Sequence, residues 1–174
     1  RSFINGLNYY LPKDIVIKVA YRVSDSFSVR RSATSREYNY YILNSPTRSP
    51  LRESFCYLVG RHLDIEAMNC SCQALIGKHD FESFSKVKTQ VNNFRCEMHH
   101  AHWKKEAGAF VFHIEANRFL RGMVRAIVGT LLMVNEGKID VNAIASILKS
   151  KKRSEAGKSV SPDGLYLSGI KYPD

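Results

Sequence analysis

Apolar and polar side chains alternate along residues 14–23. Ile15, Ile17, Val19, Tyr21 and Val23 fall on one side, with Lys18 and Arg22 on the other, which predicts a half-buried strand. Residues 24–35 form a polar linker that holds Arg30 and Arg31. A second strand is expected over 37–44, with Tyr38, Tyr40 and Ile42 on one face and Tyr41 and Leu43 on the other. Ser45-Pro46-Thr47-Arg48-Ser49-Pro50 reads as a loop, and residues 55–59 as a short extended piece. Asp64 is placed to cap a helix that runs to about Ile76 and is closed by Gly77. Residues 78–93, with Asp80-Phe81-Glu82-Ser83-Phe84, read as mostly irregular. Two strands, 94–103 and 110–116, flank a turn and predict a hairpin. Helices are expected over 118–134 and 140–149, and a last strand over 165–172.

With the first strand set aside, the order is β-α-β-β-α-(α)-β. This is the α+β, ferredoxin-like (RRM-like) split βαβ pattern, with an antiparallel sheet and one added helix. Residues 1–24 then read as the tail of an N-terminal half, a helix end and a strand, and residues 25–174 as a C-terminal domain. A chain of 174 residues buries roughly 70% of its unfolded surface, so it needs no disulfide or metal staple. The 44% hydrophobic content and five prolines exclude a disordered tail. No apolar run approaches the roughly 20 residues of a membrane span. The chain opens on Arg1-Ser2-Phe3-Ile4-Asn5, with neither an initiator Met nor the apolar core of a signal peptide, as if cut from a longer protein. Cys56, Cys70, Cys72 and Cys96 fit neither a paired zinc motif nor a dense disulfide framework. They are expected to be reduced, mostly core thiols of a cytoplasmic protein, with Cys70 and Cys72 on different faces of their helix.

Charge adds a direction. Lys and Arg number 26 against 16 Asp and Glu, a net +10, so a polyanion is the first partner expected and acidic lipid the second. On the helix expected from 118, Phe119, Leu120, Met123, Val124, Ile127, Val128, Leu131 and Val134 make a broad apolar face. Arg118, Arg121 and Arg125 form a stripe opposite it, flanked by Gly122, Ala126 and Gly129. Glycines inside a helix cost about 1 kcal/mol each, so small residues beside arginines point to a close approach by something. The bland reading is a solvated basic face. Tyr38 and Tyr40 share a strand face after Arg30, Arg31 and Arg36, an arrangement that suits base stacking; for Tyr40, plain core packing is the better reading. His99, His100, His102 and His113 cluster on the hairpin. They read either as a loose zinc site or as an exposed edge, and no acidic or Cys ligand is correctly spaced among them. Lys149-Ser150-Lys151-Lys152-Arg153 complements the end of a helix dipole and equally makes a phosphate clamp. No Gly-rich phosphate loop, nucleophile elbow or metalloprotease motif is present.

Five blocks in order carry a resemblance that covers nearly the whole chain. They are Gly6-Leu7-Asn8 through Leu11-Pro12-Lys13-Asp14-Ile15; Arg30-Arg31-Ser32-Ala33-Thr34-Ser35-Arg36-Glu37-Tyr38-Asn39-Tyr40; Gly77-Lys78-His79-Asp80-Phe81-Glu82-Ser83-Phe84; Ala116-Asn117-Arg118-Phe119-Leu120-Arg121-Gly122-Met123-Val124-Arg125 with Ile127-Val128-Gly129; and Gly164-Leu165-Tyr166-Leu167. Together they resemble the TruA family of tRNA pseudouridine synthases. The resemblance implies an isomerase that converts uridine to pseudouridine at positions 38 to 40 of the tRNA anticodon stem-loop. It implies no cofactor and a homodimer built from two ferredoxin-like halves on one sheet; from the residues themselves no metal, no membrane and a cytoplasmic location are expected. By position, Tyr38 matches the tyrosine that packs on the target base, and Arg125 the arginine that pairs with the catalytic aspartate. Leu165 matches a wall of the pocket. Arg30, Arg36, Arg118 and Arg121 are expected at the substrate, and Lys151, Lys152 and Arg153 at RNA phosphates. Two features depart from the family. Arg121 and Gly122 stand where it often has two histidines. None of Asp14, Asp25, Asp64, Asp80, Asp140, Asp163 and Asp174 has the family's Arg-Thr-Asp-x-Gly-Val-His context. The chain is therefore expected to be the C-terminal two-thirds of the enzyme and inactive alone.

The absent carboxylate matters physically. The reaction breaks an N-glycosidic bond, turns the base and forms a C-glycosidic bond, and a carboxylate must attack the sugar or take a proton from it. A neighbouring guanidinium keeps that carboxylate ionised, and leaving the stack costs the base a few kcal/mol, which an aromatic pocket offsets. A non-catalytic RRM-like RNA-binding module is the competing reading, and a hydrolase built on the histidines is a third.

Overall fold

The computed structural model describes residues 2–86, 91–106 and 108–173. Contacts divide the chain into two units, Arg1–Ser32 and Ala33–Asp174. The first holds a helix, α1 (Ser2–Tyr10), followed by irregular backbone. The strand expected over 14–23 does not form. Apart from the half-buried Ile17 its apolar side chains are exposed, Tyr21 at 83%, and the segment pairs with no strand among the described residues. A strand is stabilised by a ladder and a covered face, and alternation supplies neither. One side-chain amide stands in for a partner: Asn8 donates to the Ile17 carbonyl at 2.9 Å and accepts from its N–H at 2.7 Å.

The second unit is a mixed α+β structure on one six-stranded sheet. Its strands are β1 (Ser35–Asn44), β2 (Tyr57–Val59), β3 (Gly77–Asp80), β4 (Arg95–Glu106), β5 (Ala109–Ala116) and β6 (Leu165–Lys171). Its helices are α2 (Ile65–Cys72), α3 (Met123–Asn135) and α4 (Ala143–Ser150). The order runs β2-β1-β5-β4-β3, and β6 pairs with β1 as well. β1 is shared lengthwise on one side: its first part pairs antiparallel with β6 (Tyr40 opposite Leu165), and its end pairs parallel with β2 (Ile42 opposite Tyr57). On the other side Tyr38 faces Ile114 and Tyr40 faces Phe112 of β5.

The period-2 pattern of β1 sends Tyr40 and Ile42 inward, and both are fully buried. They join Phe112, Ile114, Trp103 and Met98 in one core with Met123, Ile127 and Leu131 of α3 and Met68 of α2. Asp64 caps α2 as expected, accepting from the Ala67 N–H at 2.9 Å. A 3-10 turn continues α2 to Leu75, and Gly77 takes φ +98°, a left-handed backbone that glycine adopts without penalty.

Four expectations need correction. Residues 77–80 form the edge strand β3 on β4, and Glu82–Phe84 form a 3-10 turn, where irregular chain was expected; residues 87–90 of that stretch, and Ala107 of the hairpin turn, lie outside the described residues. Gly77-Lys78-His79-Asp80 lacks any strand signal of its own and is extended because β4 offers it a ladder, an override of propensity by tertiary context. The helix expected from 118 begins at Met123. Gly122 sits before it at φ +77°, outside the right-handed helical basin, so Arg118 and Arg121 lie in the preceding turn and not in a stripe with Arg125. The next helix begins at Ala143, after a turn in which the Ala143 N–H donates to the Asp140 carbonyl. Finally, the thiols are free but only Cys72 and Cys96 are buried; Cys70 is exposed, on the opposite side of α2 from Cys72.

Candidate active site

The start of α3 places Arg125 one turn in, half-buried, beside the segment that connects α4 to β6. That segment lies across the helix. The Arg125 Nε–H donates to the Val160 carbonyl at 2.5 Å, and the Val160 N–H returns a bond to the Arg125 carbonyl at 3.2 Å. No carboxylate lies within ion-pair distance of Arg125 among the described residues, and its two Nη groups carry no hydrogen bond there. A guanidinium held through one nitrogen keeps a two-pronged donor face for an anion.

Next to Ser161, the Tyr40 hydroxyl donates to the Ser161 carbonyl at 2.7 Å. Burial pushes the Tyr40 phenol well above its ordinary pKa, and Tyr57 adds to this, so it remains a neutral donor. Tyr40 is thus core, as the simpler reading held. Leu165 packs at the core margin opposite Tyr40. Tyr38, two residues earlier on the same face, is only partly covered and meets Phe119 edge-on with ring centres 5.1 Å apart.

The expected cations fall into several settings. Arg36 donates to the carbonyls of Ala33 at 2.8 Å and Asn117 at 2.7 Å, which ties the start of β1 to the turn that leads into α3. Arg118 reaches Asn93 at 3.3 Å, and Arg121 is exposed, its carbonyl accepting from the Lys86 N–H. Arg36, Tyr38 and Phe119 lie where β1 starts and β5 ends, whereas Arg118 and Arg121 contact Asn93 and Lys86 and Arg125 contacts Val160. Lys151 pairs with Asp80 at 2.8 Å, and that bond raises its pKa. Lys152 lies 3.8 Å from Glu155. Arg153 donates to the Ala156 carbonyl at 3.1 Å and the Ser159 hydroxyl at 3.4 Å, and burial lowers its pKa. The basic run is therefore distributed between β3 and its own loop and does not form one cluster. Arg30 is exposed in a turn of the first unit and is described with that unit alone.

Sequence reasoning missed the segment 156–161. What approaches the small residues of α3 is the chain itself. A Cβ on Gly129 would stand 1.9 Å from the Lys158 carbonyl oxygen, and one on Gly157 would stand 2.5 Å from the Gly129 carbonyl carbon. The signal was present in Gly129 within a helix and Ala156-Gly157 in a loop, but nothing in the sequence couples them.

A cleft of about 540 Å³ lies elsewhere, on the sheet face opposite the core, among Tyr41, Phe55, Cys56 and Tyr166. It touches none of the expected site residues, so size alone does not mark the site. His100, His102 and His113 line one small cavity of about 190 Å³. His102 and His113 stack across β4 and β5 at 5.1 Å, and no group of three or more metal-ligating side chains forms among the described residues. No helix among them is long and apolar enough to cross a membrane.

A family model described as tRNA pseudouridine synthase matches residues 71–173. The chain is 41% identical to a tRNA pseudouridine synthase A of Parabacteroides distasonis over 97% of its length and 66% of that protein. It is 37% identical to one from Francisella tularensis over 97% and 66%, and 42% identical to one from Histophilus somni over 100% and 65%. The chain therefore spans just under two-thirds of the length of these curated relatives.

Proposed function

Since the chain belongs to the tRNA pseudouridine synthase family, we propose that it forms the base-holding and RNA-gripping part of an isomerase that converts uridine to pseudouridine in the tRNA anticodon stem-loop. The single observation that supports this best is Arg125, fixed through Nε with its Nη groups open to an anion. In this reading the catalytic carboxylate comes from a segment with the Arg-Thr-Asp-x-Gly context, which no aspartate of these 174 residues has. Arg125 then keeps that carboxylate ionised and oriented, Tyr38 and Phe119 offer an aromatic edge to the unstacked base, and Leu165 closes the wall. Arg30, Arg36, Arg118 and Arg121 contact substrate, and Lys151, Lys152 and Arg153 contact phosphate. The reading needs no cofactor, because the bond broken and the bond formed balance within one nucleotide. The strand order β6-β1-β5-β4 supports a ferredoxin-like half, and the reading extends to a cytoplasmic homodimer with a domain boundary near residue 24.

A tritium-release assay on uridine-labelled tRNA tests it. The 174-residue chain alone is expected to release nothing. The same chain joined to a segment with the Arg-Thr-Asp-x-Gly context is expected to turn over. In that joined protein Arg125→Ala should lower kcat on the order of a hundredfold or more while tRNA affinity changes little. Turnover by the chain alone would overturn the assignment of the carboxylate, and tRNA binding without turnover by the joined protein would favour the RNA-binding module.

A further inference from the structure

The segment that holds Arg125 is itself pinned at two points, one on each side of Val160. On one side the Gly157 N–H donates to the Thr130 hydroxyl at 2.8 Å, and that hydroxyl donates in turn to the Ala126 carbonyl at 2.8 Å. On the other, Tyr40 donates to the Ser161 carbonyl at 2.7 Å. Both anchoring side chains are fully buried, beyond reach of any substrate. Gly129 and Gly157 bring the backbones together, and the close fit leaves no room for a methyl group on either.

Neither hydroxyl is needed for packing. A Phe would fill the Tyr40 site and a Val the Thr130 site at nearly the same volume. Each hydroxyl brings a desolvation cost that its hydrogen bonds offset; the Tyr40 hydroxyl bonds to this segment, and the Thr130 hydroxyl links it to the Ala126 carbonyl of α3. An arginine side chain also has several rotatable bonds and loses rotamer freedom when ordered. Holding Nε in advance removes part of that loss before any anion arrives.

We propose that Tyr40 and Thr130 are positioning residues: they pin the 157–161 segment so that the Val160 carbonyl holds Arg125 Nε and aims both Nη groups at the reacting carboxylate. The proposal rests on the functional reading of Arg125 given above, and its test separates the two. The first measurement needs no activity. In the ¹⁵N-labelled 174-residue chain, the Arg125 Nε–H resonance, assigned by its loss in Arg125→Lys, reports the bond to Val160 through its protection from solvent exchange. Tyr40→Phe and Thr130→Val are expected to speed that exchange about tenfold or more, and Thr130→Ser, which keeps the hydroxyl, is expected to preserve it. The second measurement uses the joined, active protein. Tyr40→Phe should lower kcat about tenfold with KM for tRNA within about twofold, as expected when a group is misplaced at the reacting centre and not at the phosphates. Unchanged Nε–H protection in both Tyr40→Phe and Thr130→Val overturns the positioning link, whatever the enzyme does. Lost protection together with full kcat in Arg125→Ala leaves the link intact and overturns the functional reading. If Thr130→Val fails to fold, Tyr40→Phe and the rescue in Thr130→Ser still decide.

Discussion

Gly157 shows how much one missing methyl group determines here. Its backbone has no left-handed torsion, so conformational freedom is not what it supplies. It supplies space: a Cβ there would lie 2.5 Å from the Gly129 carbonyl carbon and 2.6 Å from the Thr130 nitrogen, backbone atoms of a buried helix that cannot move aside. Gly157→Ala should destabilise the fold by about 1–3 kcal/mol, the usual cost of forcing volume into a packed site. Gly60, whose Cβ would meet nothing closer than 3.6 Å, is the control, and Gly60→Ala should be close to neutral. Urea midpoints for the two variants check this, and equal midpoints would show that the segment is not clamped to α3. The same crowding accounts for Gly129, which reads from sequence as a point of close approach: something does approach it, but the partner is internal, while Gly122 supplies a left-handed torsion.

At the scale of elements, β6 is joined to β1 and β5 by a charged node on the sheet face opposite the core. Lys171 of β6 reaches Glu37 at 2.9 Å and Glu115 at 2.8 Å, and Ser35 donates to Glu115 at 2.6 Å. Burial pushes the Glu115 carboxyl upward, but the bonds from Lys171 and Ser35 outweigh it and hold the pKa below its ordinary 4.5. A carboxyl whose folded pKa lies below its unfolded one contributes stability above the unfolded value and loses it as pH falls through the folded value. Glu115 should therefore stabilise the sheet at neutral pH, and its contribution should fade from about pH 4.5 downward. Urea unfolding from pH 7 to pH 3 should show the gap between wild type and Glu115→Gln shrinking across that range. Parallel curves would mean that the node carries no net stability. This node also holds the strand that bears Leu165, so the wall of the proposed pocket depends on charges that line no part of it.

For the whole molecule, the +10 charge outweighs the detail of any single cation. The pairings of Lys151, Lys152 and Arg153 redirect those side chains without neutralising the total. If about six phosphates are contacted, log K for tRNA should fall with log salt at a slope near −4 to −5, measured by anisotropy on an anticodon stem-loop. A flat salt response would remove the RNA-gripping role. The dimer proposal belongs to this scale too. Ile15, Val16, Val19, Tyr21 and Val23 are exposed apolar side chains in the first unit, surface that a second chain could bury. Light scattering at high concentration is expected to give twice the 19.8 kDa chain mass, and a monomer would reject the dimer.

Much of the fold is legible in the sequence. The alternation in β1, the apolar run of α3, the Asp64 cap and the hairpin are local patterns, and local sterics and burial read them out directly. The family, too, was carried by blocks of sequence. What tertiary structure decided is of another kind. Where α3 begins depends on Gly122 being left-handed, which a helical apolar period running straight through it conceals. Whether residues 14–23 become a strand depends on a partner, and alternation cannot provide one. That Lys151 belongs to Asp80, and that Arg125 belongs to Val160 and through it to Tyr40, are pairings between residues 35 to 121 apart in sequence. Sequence pattern reports which way a side chain faces within its own element. Which groups then meet across the core is set only when all the elements pack at once, because each contact is the joint outcome of several buried surfaces.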